Sequence, residues 1–364
     1  MKILLLSAYD AASHAYWRKG LVAHFPDHDW TVLTLPARYF SWRVRGNSLS
    51  WAFGEAETLQ QDYDLVIATS MTDLSALRGF VPSLGQIPTL VYVHENQFAY
   101  PESGREYGSV EPKILNIYTA LAADHLCFNT EYNRQSFLDG CRKLLKKLPD
   151  QVPPGLTASI ADKSSVVPVP LPEHLFLSGE LKAGPLQLVW NHRWEFDKGP
   201  ELLLKATEQL ITAGIDFKLH VVGQQFRQVP AAFAQLKTVL GDRAGSWGFM
   251  ESVADYRRLL QQSDVVISTA LHDFQGIAVL EGVAAGCIPV VPDRLAYTEL
   301  FPADCRYRSG DGETESLVAM LTRLAQIKAA GSLPCAPSVK QLGWQSLGKD
   351  YAELIRRLTG QPAG

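Results

Sequence analysis

The chain has 364 residues, of which 46% are hydrophobic, and its formal net charge at pH 7 is −4. This composition excludes a disordered chain and a uniformly basic nucleic-acid coat, and the length predicts two domains. The five cysteines are scattered without a C-x-x-C pair, which favours a reduced, cytoplasmic protein without a zinc site or disulfide framework. No apolar run approaches the roughly 20 residues of a membrane span, and the N-terminal apolar run is too short for a signal peptide. We therefore expect no membrane partner.

The first half alternates short apolar runs with amphipathic segments. Buried strands are predicted over 2–6, 30–35, 64–68, 88–93, 125–128 and 164–169, and helices over 15–25 and 112–123. Polar side chains follow several strands, where ligands bind in parallel sheets. These candidates are Ser13, His14, His94, Glu95, Asn96, Gln97 and Asn129. A surface histidine, side chains that satisfy loop backbone and a helix cap at Thr130 are the competing interpretations.

Residues 36–51 are predicted to form an unusual loop. Arg38, Arg43 and Arg45 are interleaved there with four aromatic residues, including Trp42. Arginines among flat rings suit phosphates and unstacked bases, so this loop is a candidate nucleic-acid contact. The alternative is a packed surface loop whose arginine stems lie along apolar side chains.

The second half repeats the alternation. Strands are predicted over 186–190, 217–222, 264–268 and 287–291, and helices over 200–213, 252–262, 276–285 and 313–329. Residues 339–359 are mostly helical and come after both sheets. We expect two doubly wound α/β domains, Rossmann-like and facing one another across a cleft, over 1–170 and 185–338, with the helix near 339–359 packed back on the first domain.

The loops of the second half carry the chemistry. Arg193 and Lys198 flank the loop after the strand at 186–190, where two cations suit a diphosphate. Asp273 precedes the helix at 276–285 and Glu281 lies about two turns inside it. A helix start binds phosphate, an acid in the loop accepts bonds from sugar hydroxyls, and an acid on the helix holds a ribose. The full set of donor-site candidates is Arg193, Lys198, Gly223, Phe274, Gln275, Gly276, Ile277 and Glu281. A helix cap at Asp273 and a solvated acid at Glu281 remain open as alternatives.

These residues resemble a known family. Arg193 with Lys198, and Asp273 seven residues before Glu281, are similar to the donor half of retaining glycosyltransferases of the GT-B fold, family-4 type. The first half resembles the tRNA-queuosine mannosyltransferase family more narrowly. The residues that carry this likeness are Ser13-His14, Leu35-Pro36-Ala37, Trp42-Arg43, His94-Glu95-Asn96-Gln97, Tyr100-Pro101 and Phe128-Asn129. The chain has Asp273 where the family pattern has glutamate.

The resemblance implies transfer of mannose from GDP-mannose to the queuosine nucleoside in the anticodon of tRNA-Asp, with retention and without a metal or other cofactor. It implies that Arg193 and Lys198 bind the diphosphate, that Glu281 holds the ribose and that Asp273 contacts the sugar. His94 would be the fourth catalytic residue. The acceptor side would comprise Ser13, His14, Arg38, Trp42, Arg43, Arg45, Glu95, Asn96, Gln97 and Asn129.

Two other functions remain compatible with the sequence. One is a family-4 enzyme that acts on a lipid or saccharide, for which Arg43 and Arg45 would be dispensable. The other is a non-catalytic nucleotide- or tRNA-binding module, which would release no GDP.

Overall fold

The computed structural model describes residues 1–100, 110–148, 150–177 and 183–360. The chain divides into two compact units, Met1–Pro170 with Trp344–Gly364, and Leu171–Gly343. Pro101, which belongs to one of the family motifs, and part of the segment that joins the units lie outside the described residues. No helix within the described ranges is long and apolar enough to cross a membrane.

Unit 1 is a parallel six-stranded sheet with helices, in the strand order β2-β1-β3-β4-β5-β6. Its apolar core lies between the sheet and the helices, around residues such as Leu4, Val66 and Phe137. In chain order the elements are β1 (Lys2–Asp10), α1 (Ala12–His24), β2 (Asp29–Pro36), α2 (Phe40–Gly54), α3 (Ala56–Leu59), β3 (Leu65–Thr69), α4 (Leu74–Phe80), β4 (Thr89–Val93), α5 (Glu111–Ala122), β5 (His125–Phe128), α6 (Glu131–Lys147), α7 (Leu156–Asp162) and β6 (Ser164–Val166).

Unit 2 is a second parallel sheet, in the order β12-β11-β10-β7-β8-β9. Its elements are β7 (Leu186–Trp190), α8 (Pro200–Thr212), β8 (Phe217–Val222), α9 (Ala232–Leu240), β9 (Ala244–Gly248), α10 (Val253–Gln262), β10 (Val265–Ile267), α11 (Ile277–Ala284), β11 (Ile288–Pro292), α12 (Tyr297–Leu300), β12 (Arg306–Tyr307) and α13 (Glu313–Ala329). The last helix, α14 (Trp344–Thr359), belongs to unit 1, where Trp17 Nε1 donates to Tyr351 Oη at 3.0 Å.

The strand orders locate the ligand edges of both sheets. In unit 2 the chain direction across the sheet reverses between β7 and β10, and in unit 1 it reverses between β1 and β3. Ligands of doubly wound sheets bind beyond the carboxyl ends of the strands at such reversals. In unit 2 the loops at this point are 191–199 and 268–276, which contain the cations and the acid of the predicted diphosphate site.

Two predicted boundaries in unit 1 are wrong. β1 continues to Asp10 and α1 begins at Ala12, so Ser13 and His14 lie in the first turn of a helix and not in a loop. Residues 36–51 do not form a loop either, because α2 covers Phe40–Gly54. Its helical periodicity is hidden, since it buries Arg43 and Asn47 and exposes Trp42 and Phe53. A segment with polar residues inside and rings outside gives no helical hydrophobic pattern.

Candidate active site

The loop after β7 is built to present Lys198. Gly199 adopts the left-handed conformation (φ 63°), and a Cβ there would lie 2.1 Å from the carbonyl oxygen of Thr269. Only glycine permits this close approach of the loops that follow β7 and β10. Thr269 Oγ1 also donates to the Lys198 carbonyl at 2.7 Å. The backbone of the lysine is therefore held against the second loop.

The Lys198 ammonium lies among three oxygen acceptors. Nζ donates to the His272 carbonyl at 2.7 Å and lies 3.4 Å from Asp273 Oδ2 and 3.5 Å from Asp197 Oδ2. Its side chain is almost fully buried. These three contacts fix the position of the ammonium group and place two carboxylates beside it.

Arg193 lies at the outer side of the same cluster. Nη1 is 2.6 Å from Glu195 Oε2 and Nη2 is 3.7 Å from Asp197 Oδ2, while the side chain is 41% exposed. Asp197 thus faces both Arg193 and Lys198. The sequence pointed to the two cations, and the structure adds the carboxylates that neutralise them. Burial raises the pKa of Glu195, and the nearby Arg193 guanidinium opposes that rise.

Asp273 is ionised and uses both oxygens. Oδ1 accepts from the Gly276 amide at 2.8 Å, and Oδ2 accepts from Tyr297 Oη at 3.1 Å as well as facing Lys198. Burial alone would raise its pKa, but Lys198 and neighbouring groups lower the pKa to about 2. The amide of Gly276 is therefore not free for a phosphate, contrary to the expectation that this helix start is open there. The amides of the first turn of α11, from Ile277 onward, have no helical acceptor.

Glu281 lies on α11 and is held by residues that the sequence did not reveal. Tyr256 Oη donates to Glu281 Oε2 at 3.0 Å, and Asn191 Nδ2 donates to Tyr256 Oη at 2.9 Å and to the Ala278 carbonyl at 2.7 Å. Burial raises the pKa of Glu281 to about 7, while the hydrogen bond from Tyr256 opposes this rise. Glu281 is thus a positioned carboxyl group that changes charge near neutral pH, and the interpretation as a solvated helix acid is wrong.

Three more predicted donor-side residues shape the same loops. Gly223 directly follows β8, and a Cβ there would lie 1.8 Å from the His192 carbonyl oxygen. Only a glycine therefore allows the loop after β8 to contact the loop after β7. Phe274 and Gln275 are buried, and the Phe274 ring meets His272 edge to face with centroids 4.5 Å apart. Burial, and then Lys198, lower the pKa of both His192 and His272 to about 4, so these imidazoles are neutral at pH 7.

In unit 1, two predicted histidines meet at the carboxyl edge of the sheet. The rings of His14 and His94 are 4.3 Å apart between centroids, and Trp17 meets His94 edge to face. His14 Nδ1 lies 2.5 Å from the Tyr9 carbonyl, which assigns the proton to Nδ1. Burial, and then His14, lower the pKa of His94 well below its usual range. Within the described residues, Nε2 of each ring is buried without a hydrogen-bond partner.

Asn96 and Asn129 belong to a buried asparagine network that shapes the loop of His94. Asn129 Nδ2 donates to the His94 carbonyl at 2.9 Å, and Asn96 Oδ1 accepts from the amides of Phe98 and Ala99. Asn133 joins the two, because it donates to Asn129 Oδ1 and accepts from Asn96 Nδ2, both at 2.8 Å. Thr130 caps α6 as predicted, accepting from the Asn133 amide. These contacts support a positioning role for both predicted asparagines.

The other acceptor-side candidates lie in different surroundings. Ser13, Arg38 and Trp42 are exposed, whereas Arg43 is buried. The backbone amide of Gln97 donates to Asn116 Oδ1. Arg45 forms ion pairs with Asp73 (2.9 Å) and Glu111, so its charge is already compensated. Glu95 is half-buried, and its carbonyl accepts from Ser70 Oγ at 3.1 Å.

Several functional-site residues had escaped the sequence interpretation. Asn191 and Asp197 lie in the loop after β7 together with Arg193, so the signal that singled out Arg193 applied to them as well. Tyr256 and Tyr297 lie on helices remote in sequence from the acids that they contact, and Asn133 lies inside a helix. No local pattern identifies these three.

Comparison with known proteins places this geometry in a family. Residues 2–171 match the family model "tRNA-queuosine alpha-mannosyltransferase N-terminal", and residues 178–306 match "Glycosyl transferases group 1". The tRNA-queuosine alpha-mannosyltransferase of Drosophila melanogaster is 31% identical over 327 residues, which are 86% of this chain and 85% of that protein. This chain belongs to the tRNA-queuosine alpha-mannosyltransferase family. It is an enzyme of the glycosyltransferase class, as the resemblance predicted.

Solved structures confirm the predicted GT-B fold of this family member. Sucrose-phosphate synthase from Thermosynechococcus elongatus superposes with a TM-score of 0.71 at 14% identity, over 99% of each chain. Anabaena HepE, solved in complex with UDP and glucose, superposes with a TM-score of 0.67 at 14% identity, over 98% of this chain and 100% of that one. At this identity the likeness establishes the fold alone.

Proposed function

We propose that this enzyme transfers mannose from GDP-mannose to the queuosine nucleoside in the anticodon of tRNA-Asp, with retention of the anomeric configuration. The observation that carries the proposal is the grouping of Arg193, Lys198, Asp273 and Glu281 around the strand-order reversal of unit 2, in a chain whose first half matches the queuosine-specific family model. The Drosophila relative's name supplies the substrate class.

Charge compensation is the main catalytic contribution we assign to unit 2. The glycosidic C1–O bond breaks, GDP departs with the bonding electrons, and the diphosphate gains charge. Arg193 and Lys198 neutralise that charge, together with the first-turn amides of α11. The shared partner Asp197 holds both cations before the donor arrives. Two cations and a helix start can neutralise the charge of the departing diphosphate, which a divalent metal ion neutralises in other enzymes. We therefore propose a metal-independent reaction.

The new bond forms on the same face of the sugar from which GDP departs. The acceptor hydroxyl oxygen of the queuosine diol bonds to C1, and its proton passes to an oxygen of the departing phosphate. This step balances without a protein base, so we assign none. Asp273 accepts from a mannose hydroxyl, and Glu281 accepts from the ribose through Oε1, the oxygen not bonded to Tyr256. We assign His94, which burial keeps neutral, the role of a hydrogen-bonding group toward the substrates. Because Asp273 has a shorter arm than the family's glutamate, we place it nearer to the sugar through a small loop shift.

The test uses total tRNA with and without queuosine, incubated with the protein and labelled GDP-mannose. Label only in the queuosine-containing pool is expected, and sensitivity of the product to an α-mannosidase checks retention. Glu281→Ala should abolish transfer while tRNA binding survives. Label in neither pool, with slow release of GDP, would remove tRNA as the acceptor and favour a lipid or saccharide. No GDP release with any acceptor would contradict enzymatic transfer altogether.

A further inference from the structure

The ring of His94 is held in place by other rings. Within the described residues its Nε2 has no hydrogen-bond partner, although the side chain is buried. Its neighbours are the rings of His14, Tyr92 and Trp17, at centroid distances of 4.3, 4.7 and 4.9 Å. Because no hydrogen bond to Nε2 fixes the imidazole, packing against these neighbours sets its orientation.

Trp17 is in turn fixed by the last helix of the chain. The indole stacks on Tyr92 of β4, with centroids 4.3 Å apart, and Nε1 donates to Tyr351 Oη of α14 at 3.0 Å. An indole N–H can only donate, so the tyrosine hydroxyl must accept. Its own proton then goes to the Pro168 carbonyl, which lies 3.1 Å away. Trp17 and Tyr351 are both almost completely buried, so water cannot replace the hydroxyl without a rearrangement.

Further contacts dock α14 on α1. A Cβ at Gly20 of α1 would lie 2.7 Å from the Trp344 ring, and a Cβ at Gly348 of α14 would lie 2.1 Å from the His24 ring. His24 also stacks on Trp344, with centroids 4.9 Å apart. Each helix thus lays a ring against a glycine of the other, which fixes the register of α14 against α1.

We propose that Tyr351 is a positioning residue for mannose transfer, which acts through Trp17 to orient His94 toward the substrates. The inference rests on the proposed function, in which His94 is a hydrogen-bonding group. It gives a role to α14, which follows unit 2 in sequence but belongs to unit 1. The hydroxyl is the part of Tyr351 that carries this role, since it is the group that bonds to the indole.

The first experiment compares steady-state mannose transfer to queuosine-containing tRNA by the wild type and Tyr351→Phe. The variant keeps the ring but leaves the indole N–H buried and unpaired, so Trp17 shifts and His94 shifts with it. Misplacement by about 1 Å costs up to about 10²-fold in rate, so kcat should fall about 10- to 10²-fold. The KM for GDP-mannose, which we place in unit 2, should not change.

The matched control is Ile355→Val, which trims a buried side chain of the same helix. It should lower the thermal midpoint and leave kcat unchanged, because the bond between Trp17 and Tyr351 stays intact. A fall in kcat equal to that of Tyr351→Phe would mean that any weakening of α14 slows transfer, and it would overturn the inference.

A double-mutant cycle separates positioning from general destabilisation. If Tyr351 acts through His94, Tyr351→Phe should lower kcat far less in a His94→Gln background than in the wild type. A hydroxyl that only stabilised the fold would lower kcat by the same factor in both backgrounds. Equal factors, or wild-type kcat in Tyr351→Phe, would overturn the inference.

A second readout does not depend on mannose transfer. NMR of the full-length protein with isotope-labelled histidine reports the surroundings of the His94 ring, whose signal is identified by its absence in His94→Gln. Tyr351→Phe should move this signal, and Ile355→Val should not. An unmoved signal in Tyr351→Phe would overturn the positioning role. A moved signal in a protein whose wild type labels neither tRNA pool would support the orientation of His94 by Tyr351 and refute the proposed function.

Discussion

The protonation of Glu281 gives the sharpest test of the donor site. Its carboxyl group has a pKa of about 7 because it is buried, although the Tyr256 hydroxyl donates a hydrogen bond to it. In the free enzyme at pH 6 the group is therefore about nine-tenths protonated. Ribose hydroxyls donate hydrogen bonds, and such bonds favour the ionised carboxylate. Binding of the donor should then lower this pKa and release a proton.

The magnitude follows from the shift. If binding moves the pKa of Glu281 from about 7 to about 5, the complex keeps roughly a tenth of a proton at pH 6 and releases about 0.8. Between those values the dissociation constant should fall as the pH rises, by up to about tenfold per pH unit, and then level off above pH 7. GDP-mannose is the right ligand, because its diphosphate is esterified at both ends and does not titrate in this range.

Isothermal titration calorimetry at pH 6 in two buffers of different ionisation enthalpy measures the released protons. Glu281→Gln should reduce the release to near zero. Tyr256→Phe removes the hydrogen bond that lowers this pKa, so the release should persist to a higher pH. Tyr63→Phe removes a hydroxyl bonded to the Thr58 carbonyl in unit 1 and is the matched control. Absence of proton release in the wild-type protein, or undiminished release in Glu281→Gln, would refute the assigned role of Glu281.

Three further predictions concern the cations, the loop packing and the histidine pair. Arg193→Ala should lower kcat for mannose transfer about 10²- to 10³-fold through lost charge compensation, and an unchanged kcat would contradict that role. Gly223→Ala should lower the thermal midpoint and donor affinity together, because its Cβ meets the His192 carbonyl, while Gly79→Ala, whose Cβ meets nothing, serves as the control. His94→Gln should slow mannose transfer by a similar factor at every pH between 6 and 8, since burial already keeps the imidazole neutral. If the variant instead lost a pH-dependent step that the wild-type rate shows in this range, His94 would be the group that titrates.

The sequence predicted most of the fold because buried parallel strands leave strong local signals. β5, β7 and β8 begin and end at the predicted residues, and α13 does as well. The interpretation failed at α2, where polar and apolar residue types occur on both sides: Arg43 and Asn47 are buried with Val44 and Trp51, while Trp42 and Phe53 are exposed. It also failed at the start of α1, where β1 continues past the last strongly apolar residue. Local hydrophobic patterns therefore locate elements whose buried side is apolar, and they miss a helix with mixed sides or a strand that continues into polar residues.

The charged loops were predictable for a different reason than their partners. Arg193, Lys198 and Asp273 lie in the loops that follow β7 and β10, and the topology of a doubly wound sheet brings such loops together. Tyr256 and Asn191 contact Glu281 through a hydrogen-bond chain that joins residues 65 and 25 positions apart in sequence. Spacing within one loop cannot reveal such pairs, because the distance between helices depends on packing of the whole unit.

The two sets of charges around the predicted diphosphate site explain how one loop meets two opposing needs. Without a ligand, two buried or half-buried cations close together would repel one another, and the carboxylates of Asp197 and Asp273 compensate them. With a diphosphate bound, the same carboxylates would repel the ligand unless the cations lie between them and the phosphates. Lys198 meets this condition only if its ammonium turns from Asp273 toward the ligand while keeping its bond to the His272 carbonyl. The His272 carbonyl is a neutral acceptor, so it fixes the position of the ammonium group without neutralising its charge. A third carboxylate at this position would add a negative charge that repels the diphosphate.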